Sequence, residues 1–198
     1  MSKGLRAVFV IISCLTFGMS ISFYLLAGYG PDPFTVLAEG LSKIISTTVG
    51  MANWALSLGI VSTVFLIKRK LIGWATLLSL VVISPSLDLF IYLFRHIVTP
   101  ESPTLIRLAF LVAGFLLLSF SIALYLSMNL GIAVVDLIPI LVSTQTKIQY
   151  RWIKIIFDVV VVTIGFSLGG TFSYGTILAA LGTGPLAHMM RQGLEKSR

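Results

Sequence analysis

Six long apolar segments, separated by short polar connections, dominate the pattern of hydrophobic and polar positions along the chain. A membrane-spanning helix needs about 20 predominantly apolar residues, and each segment approaches or exceeds that length. The pattern therefore predicts an all-α integral membrane protein with six transmembrane helices. The predicted spans are residues 7–27, 50–67, 71–94, 105–128, 152–169 and 172–190.

Two shorter and more polar segments, 32–46 and 135–146, interrupt this series. A helix of about fourteen residues rises about 21 Å, which is too little to cross a bilayer. Each segment is predicted to form a short helix. That helix either dips into the membrane as a re-entrant half-helix or lies along its interface, and the residues alone leave both alternatives open.

Local sequence indicates where these short helices begin. Asp32 suits the N-cap position of the first helix, and Pro33 suits its first helical position. Asp136 is the candidate N-cap of the second helix, with Pro139 in its first turn. Because a helix N-terminus presents free N–H groups and partial positive charge, either end suits an anion or a polar solute.

Composition agrees with a membrane protein and excludes a soluble domain. The chain of 198 residues is 57% hydrophobic and only 11% charged, with a mean hydropathy of +1.04, whereas soluble domains carry about 25% charged residues. The net charge of +7 does not call for a nucleic-acid partner, since basic residues collect on the cytoplasmic side of membrane proteins.

The basic residues also predict the topology. Six spans with a cytoplasmic N-terminus leave Lys43, Arg95 and Arg107 outside and the other eleven of the 14 lysines and arginines inside. If the two short segments also crossed, the basic run 68–70 would lie outside. The charge distribution therefore favours six spans with both termini in the cytoplasm.

The two halves of the chain resemble two copies of one unit. The segment "SISFYLLAGYG" at 20–30 matches "SIALYLSMNLG" at 121–131, an offset of 101, and Pro85 matches Pro185 at an offset of 100. The predicted repeats are residues 1–100 and 101–198, which together form one membrane domain. Because each repeat holds three spans, the second enters the membrane inverted. Inverted repeats are typical of transporters, which bind solutes between the two halves near the midplane.

The candidate solute-binding residues lie at the two glycine-containing connections and at acidic positions within apolar segments. An acid at the centre of a membrane helix costs about 2.5–3.5 kcal/mol, so it is a functional candidate by default. Proton coupling through Asp158 or Asp88 is one hypothesis for such positions. The candidates are Gly28, Gly30, Asp32, Thr35, Glu39, Asp88, Gly131, Asp136 and Asp158.

Each acid also has a structural alternative. Asp158 lies four residues after Lys154, the spacing of an ion pair along one helix face. Asp88 is placed to cap a helix near the outer interface. Asp32 and Asp136 are predicted more as helix caps than as ligands.

Motifs for catalysis and cofactor binding are absent from the sequence. It has no metal-spaced cluster of histidine and cysteine, no nucleotide-binding loop and no nucleophile elbow. The chain is therefore not expected to be an enzyme or to carry a cofactor or metal. The one cysteine, Cys14, lies in an apolar run and is expected to pack.

Several longer motifs resemble those of a known family. "GYGPDPFTVLAEGLS", "DLIPILVS", "RWIKIIFDVVVVTIGFSLGG" and "YGTILAALGTGP" are similar to the bacterial YczE/YyaS/YitT group of small membrane proteins, above all to its YczE-like branch. One departure is "GIAVVD" at 131–136, where that branch often has a Pro-Tyr pair before the acid. The resemblance implies a multi-pass protein of the bacterial cytoplasmic membrane and little about its chemistry.

These features favour a small secondary transporter or permease that moves a small solute through a site between inverted repeats. One alternative is the substrate-binding subunit of a vitamin-type uptake system, which would work with a partner membrane subunit. Another is an accessory or regulatory membrane protein without transport activity. A homodimer is compatible with each of them.

Overall fold

The computed structural model describes residues 3–196, and over that range the protein is all-α. The 3-10 turn Arg69–Leu71 joins the third and fourth helices. Arg198, one of the predicted cytoplasmic bases, lies outside the described residues. The helices are α1 (Lys3–Ala27), α2 (Pro33–Ile44), α3 (Val49–Lys68), α4 (Trp74–Phe94), α5 (Thr104–Met128), α6 (Val134–Thr146), α7 (Tyr150–Ser167) and α8 (Tyr174–Lys196).

The helical fold class predicted from the sequence is confirmed. The six long apolar segments correspond to α1, α3, α4, α5, α7 and α8, and the two short segments to α2 and α6. Four helical segments of the described chain are long and apolar enough to cross a membrane: α1, α3 with its following turn, α4 and α5. Helix α7 is shorter and carries Arg151, Lys154 and Asp158.

Apolar clusters at the two ends of the bundle show how the long helices are arranged. One cluster joins Val10 and Cys14 of α1 to Ala75, Tyr125 and the partly buried Leu194 near the end of α8. We call this end, where α1 begins, the terminal end. The opposite, distal end has a cluster built from the last turns of α1, the part of α5 from Leu111 to Leu118 and the first turns of α8. Its buried members are Tyr24, Ala27, Leu111, Leu118 and Ala179.

The predicted N-cap of α2 is confirmed. The Thr35 backbone N–H and hydroxyl both donate to the Asp32 carboxylate, and Pro33 occupies the first turn. The prediction for α6 is wrong by three residues. Ala133 is the N-cap, Asp136 lies inside the first turn and Pro139 follows it within the helix. The helix begins earlier because Val134 and Leu137 are buried against α3, so packing sets its start.

Helix α2 crosses α7 at very short range because glycines lie at the crossing. A Cβ on Gly165 of α7 would lie 2.6 Å from the Cα of Leu37, and one on Gly40 would lie 2.4 Å from the carbonyl oxygen of Gly165. Neither glycine can therefore gain a side chain without separating the helices. This crossing holds α2 against α7.

Candidate functional site

Lys154 of α7 forms ion pairs with two acidic side chains. Its Nζ donates to Asp158 Oδ1 at 2.8 Å and lies 3.7 Å from Asp136 Oδ1. Asp32 is close enough for its charge to act on Lys154 and Asp158. We call Asp32, Asp136, Lys154 and Asp158 the charged cluster. It draws residues from α6, from α7 and from the start of α2.

The two short helices bring their N-terminal ends to this cluster from opposite ends of the bundle. The middle of α2 contacts Gly165, whereas Asp32 at its start interacts with Asp158, about two turns earlier along α7. Asp136 in the first turn of α6 accepts a hydrogen bond from Tyr150 Oη at 2.9 Å. The N-termini of both helices therefore point toward α7.

The cluster combines partial burial with partial access. The side chains of Lys154 and Asp136 are 28% and 27% exposed, and that of Asp158 is 17% exposed. The Asp32 carboxylate accepts two hydrogen bonds from Thr35. Because Asp32 and Asp136 already occupy the N-terminal turns, the positive ends of both helix dipoles are compensated by the chain's own carboxylates. This arrangement weakens the case for an anionic ligand.

The glycine-containing connection between α1 and α2 is held at the distal end. Arg107 Nε donates to the Ala27 carbonyl at 2.9 Å, and its guanidinium lies 4.9 Å from the centre of the Tyr29 ring. Gly28 has a φ of +71° and Gly30 a φ of +82°, values that glycine adopts without strain. Both glycines therefore shape the turn that carries the chain to Asp32.

Glu39 ties α2 to the connection between α7 and α8. Its carboxylate accepts hydrogen bonds from the Thr171 backbone N–H and hydroxyl, both at 2.8 Å, and from Lys43 Nζ at 2.7 Å. Lys43 also donates to the Gly169 carbonyl at 2.6 Å. The buried Glu39 thus anchors the C-terminal half of α2 to this connection, away from the charged cluster.

Gly131 lies at the terminal end, in the connection between α5 and α6. A Cβ on Gly131 would lie 2.9 Å from Thr76 Oγ1 and 3.1 Å from the Cα of Gly73. The residue therefore permits close approach to the start of α4. That role is packing between connections rather than contact with the charged cluster.

Asp88 of α4 caps α3. Its carboxylate accepts hydrogen bonds from the Thr48 hydroxyl at 2.6 Å and from the Gly50 backbone N–H at 2.9 Å. Thr48 in turn accepts a hydrogen bond from the Met51 backbone N–H. One carboxylate therefore satisfies the first turn of α3 and joins that helix to α4.

Replacing Asp88 with alanine is expected to destabilise the protein by about 2 kcal/mol, because two donors lose their acceptor. The measurement is the free energy of unfolding of the purified protein in lipid nanodiscs, with unfolding induced by heat or denaturant. Glu101→Ala removes an exposed acid from the α4–α5 connection and is expected to stay within about 0.5 kcal/mol of the parent protein. Equal stability of the two variants would refute the capping role.

Of the nine candidates, the structure brings Asp32, Asp136 and Asp158 together. Thr35 supports Asp32, and the remaining candidates lie in connections or in other contacts. Sequence reasoning identified Lys154 only as a neighbour of Asp158. It gave no signal for Tyr150, because the contact between Tyr150 and Asp136 depends on how α6 folds back onto α7.

Comparison with known proteins agrees with this fold and with the motifs. A family model described as "Family of unknown function (DUF6198)" matches residues 4–192. The chain belongs to this family. The match covers both short helices and the whole charged cluster, so both lie within the part of the chain that the family model defines.

Three relatives are similar to the chain over most of its length. An uncharacterized protein of Haemophilus influenzae is 29% identical over 178 residues, which is 87% of this chain and 79% of the relative. The uncharacterized membrane protein YczE of Bacillus subtilis is 25% identical over 86% of this chain and 77% of its own length. The uncharacterized protein YyaS of the same organism is 22% identical over 93% and 92%. These matches confirm the resemblance to the YczE-like group.

No solved structure matches the chain. The fold and the charged cluster therefore have to be interpreted from the contacts of this chain itself.

Proposed function

We propose that α7 and α8 also cross the membrane, which gives six spans in the bacterial cytoplasmic membrane with both termini in the cytoplasm. The path of α8 supports this: Ala179 belongs to the distal cluster, and Leu194 packs on the terminal cluster. Along α7, Gly165 meets α2 and Tyr150 meets α6. With the terminal end in the cytoplasm, the basic residues follow the positive-inside distribution.

Labelling of single cysteines in intact cells tests this orientation. In a Cys14→Ser background, Glu101→Cys in the α4–α5 connection is expected to react with a membrane-impermeant thiol reagent. Lys70→Cys after α3 is expected to react only once the cells are opened. Both side chains are exposed, so accessibility to the reagent depends on the side of the membrane. The reverse pattern would overturn the orientation.

The two halves, 1–100 and 101–198, are proposed as inverted repeats, and exchanged contacts support this. At the distal end, the Gly175 backbone N–H donates to the Tyr29 carbonyl at 2.8 Å. At the terminal end, the Ala75 backbone N–H donates to the Leu130 carbonyl at 3.3 Å. Each half thus places its glycine-containing connection on the last long helix of the other half. Because the equivalent contacts lie at opposite ends, the axis relating them runs parallel to the membrane plane.

Backbone conformation supports the same relation. Gly28 and Asn129, which end α1 and α5, have φ of +71° and +52°. Ser46 and Lys147, which follow α2 and α6, have φ of +52° and +60°. Both pairs are separated by the offset of 101 that the sequence repeat predicts. Positive φ is uncommon outside glycine, so its recurrence in this register is hard to obtain by chance.

The short helices α2 and α6 are proposed as re-entrant half-helices. Their N-termini approach the charged cluster on α7 from the distal and terminal ends respectively. A helix lying flat at the interface would keep both of its ends at one depth. Here the start and the middle of α2 face positions on α7 that are about two turns apart.

The function that this arrangement supports best is secondary transport of a small solute. The observation that carries the proposal is the charged cluster. There the half-helices α2 and α6 bring Asp32 and Asp136 from opposite ends of the bundle toward Lys154 and Asp158 of α7. Charged side chains at membrane depth are costly and mark solute or ion pathways. Sites between inverted repeats, formed by broken helices, are typical of secondary transporters.

Uptake by proteoliposomes tests the proposal although the solute is unidentified. Liposomes containing the purified full chain are incubated in a bacterial small-molecule extract, and their contents are compared by mass spectrometry with those of protein-free liposomes. Transport predicts that at least one solute enters the lumen. A solute retained by the protein without entering the lumen would instead favour a binding subunit. The absence of both would favour an accessory protein.

A further inference from the structure

Lys154 lies in an environment of the kind that binds a free ammonium group. Its Nζ is 2.8 Å from Asp158 Oδ1, 3.7 Å from Asp136 Oδ1 and 5.6 Å from the centre of the Phe157 ring. Carboxylates combined with an aromatic face form a common recognition site for organic cations. The chain fills this site with its own side chain.

The charges around Lys154 do not balance. The carboxylates of Asp158 and Asp136 lie 2.8 and 3.7 Å from this one ammonium group, and the charge of Asp32 acts on it from beyond ion-pair distance. Among the described residues, Lys154 is the base within salt-bridge distance of Asp136 and Asp158. Excess charge of one sign is costly in a partly desolvated site unless a counter-charge arrives. The imbalance favours a cationic ligand over an anionic one.

Two buried hydroxyls near residues 30–32, where the chain enters α2, supply an independent observation. Tyr24 is fully buried, and the charge of Asp32 acts electrostatically on its hydroxyl. Thr176 is 1% exposed and packs against Gly30. Among the described residues, neither hydroxyl has a hydrogen-bond partner. Buried polar groups are rarely left unpaired, so two such hydroxyls flanking residues 30–32 indicate a place for a polar ligand.

The equivalent connection at the terminal end of the bundle shows what these hydroxyls lack. The residues at equivalent positions, Tyr125 and Thr76, both donate to the carbonyl of Ile132, at 3.3 and 2.7 Å. The hydroxyls are therefore paired at the terminal end, on the connection before α6, and unpaired at the distal end, on the connection before α2. The unpaired hydroxyls lie beside the connection that leads to Asp32.

We propose that the charged cluster binds a small organic cation. Its ammonium or guanidinium group takes the place of the Lys154 ammonium between Asp136 and Asp158, and its polar remainder bonds with the hydroxyl of Tyr24. Lys154 is thus a tethered competitor that occupies the site until the ligand arrives. A bare metal ion is a poorer fit, since no group of three potential metal ligands is arranged to hold one within the described part of the chain. The inference names the solute class of the proposed transporter and rests on that function for its physiological role.

Binding to the purified full chain in lipid nanodiscs tests the inference without transport. The probes are ethylammonium, tetramethylammonium and methylguanidinium chloride, compared with sodium chloride, sodium acetate and glycerol at matched ionic strength. The readout is the shift in melting temperature with probe concentration, from which an affinity is obtained. At least one cation is expected to stabilise the protein beyond sodium chloride, and acetate and glycerol are not.

Variants of Lys154 test whether this lysine competes with the cation for the carboxylates or binds the solute itself. Lys154→Met is expected to bind the best cation about tenfold more tightly, and Lys154→Arg about as tightly as the parent. The double variant of Lys154→Met with Asp158→Asn is expected to lose that gain. If the methionine variant does not fold, Lys154→Gln takes its place. The inference fails if removing the lysine weakens cation binding, or if acetate is the probe that binds.

The tyrosines offer a matched pair of variants. Tyr24→Phe removes an unpaired hydroxyl, so we expect unchanged stability in the absence of probe and about fivefold weaker binding of a cation that carries a hydroxyl, choline being the probe. Tyr125→Phe removes a hydroxyl bonded to Ile132, so we expect lower stability with unchanged choline affinity. Equal choline affinity in both variants would exclude Tyr24 from the site.

Failure of the inference and failure of the transport proposal are distinguishable. Cation binding in nanodiscs without uptake by proteoliposomes would leave the site assigned and remove the transport function. Uptake of a neutral or anionic solute without cation binding would leave transport in place and remove the cationic class.

Discussion

Replacing Asp158 with asparagine is expected to lower solute uptake by about 100-fold while the protein still inserts and folds. Asp158 lies in the middle of α7, and its Oδ1 is 2.8 Å from the Nζ of Lys154. In the proposed site the Asp158 carboxylate holds the charged group of the solute, and a hydrogen bond to a charged group contributes about 1.5–3 kcal/mol. A 100-fold effect corresponds to about 2.8 kcal/mol, which lies within that range.

The measurement is the initial uptake rate, in proteoliposomes, of a solute identified with the parent protein. Asp158→Glu keeps the charge and is expected to retain much of the rate. Asp88→Asn is the matched control, since it neutralises an acid that caps α3 rather than one in the charged cluster. It is expected to lower stability more than uptake. Unchanged uptake by the Asp158→Asn protein would rule out its role in transport.

Replacing Gly165 with valine is expected to destabilise the protein by about 3 kcal/mol or more. A Cβ at this position would lie 2.6 Å from the backbone of Leu37, well inside ordinary contact distance. Backbone atoms of α2 cannot move aside as a flexible side chain can, so the two helices must separate. Overpacking of a core usually costs about 1–3 kcal/mol, and a clash between two backbones lies at the upper end or beyond.

The check is the free energy of unfolding or the melting temperature of the purified variant. Gly59→Ala is the matched control, because a Cβ there would meet nothing within 4 Å. In an exposed helical position, alanine is expected to stabilise by about 0.5–1 kcal/mol. A Gly165→Val protein as stable as the parent would show that α2 is not held against α7 at this crossing.

Because α2 also positions Asp32, the same substitution couples stability to the site. Separating α2 from α7 moves Asp32 away from Lys154 and Asp158. The Gly165 variant should therefore lose cation binding even where enough folded protein remains for the assay. Loss of stability without any change in binding would mean that Asp32 contributes little to the site.

Local sequence determined most of the secondary structure of this protein. Hydropathy predicted the helix bounds to within a few residues except at the end of α8, which continues past the predicted residue 190 to Lys196. The agreement is close because a helix with a recurring apolar face is visible in the sequence, and its ends depend on neighbouring residues. Asp32 could be identified as an N-cap for the same reason, since the hydrogen bonds that it accepts come from residues within the first turn of α2. The proposed repeat was also predicted from the sequence, as a matching order of residues in one register.

Only the tertiary structure decided which polar residues meet. Asp136 and Lys154 are joined through the folding of α6 onto α7, and Asp32 reaches the same place from the other half of the chain. Asp88 and Asp158 look alike in sequence as acids within apolar segments, yet one caps α3 and the other pairs with Lys154. Hydropathy measures the free energy that a segment gains by leaving water, and a capping motif predicts only hydrogen bonds within one helical turn. Which distant residues come into contact depends on how the helices pack, and that packing depends on the glycines that let two backbones approach. Neither hydropathy nor a capping motif contains this information.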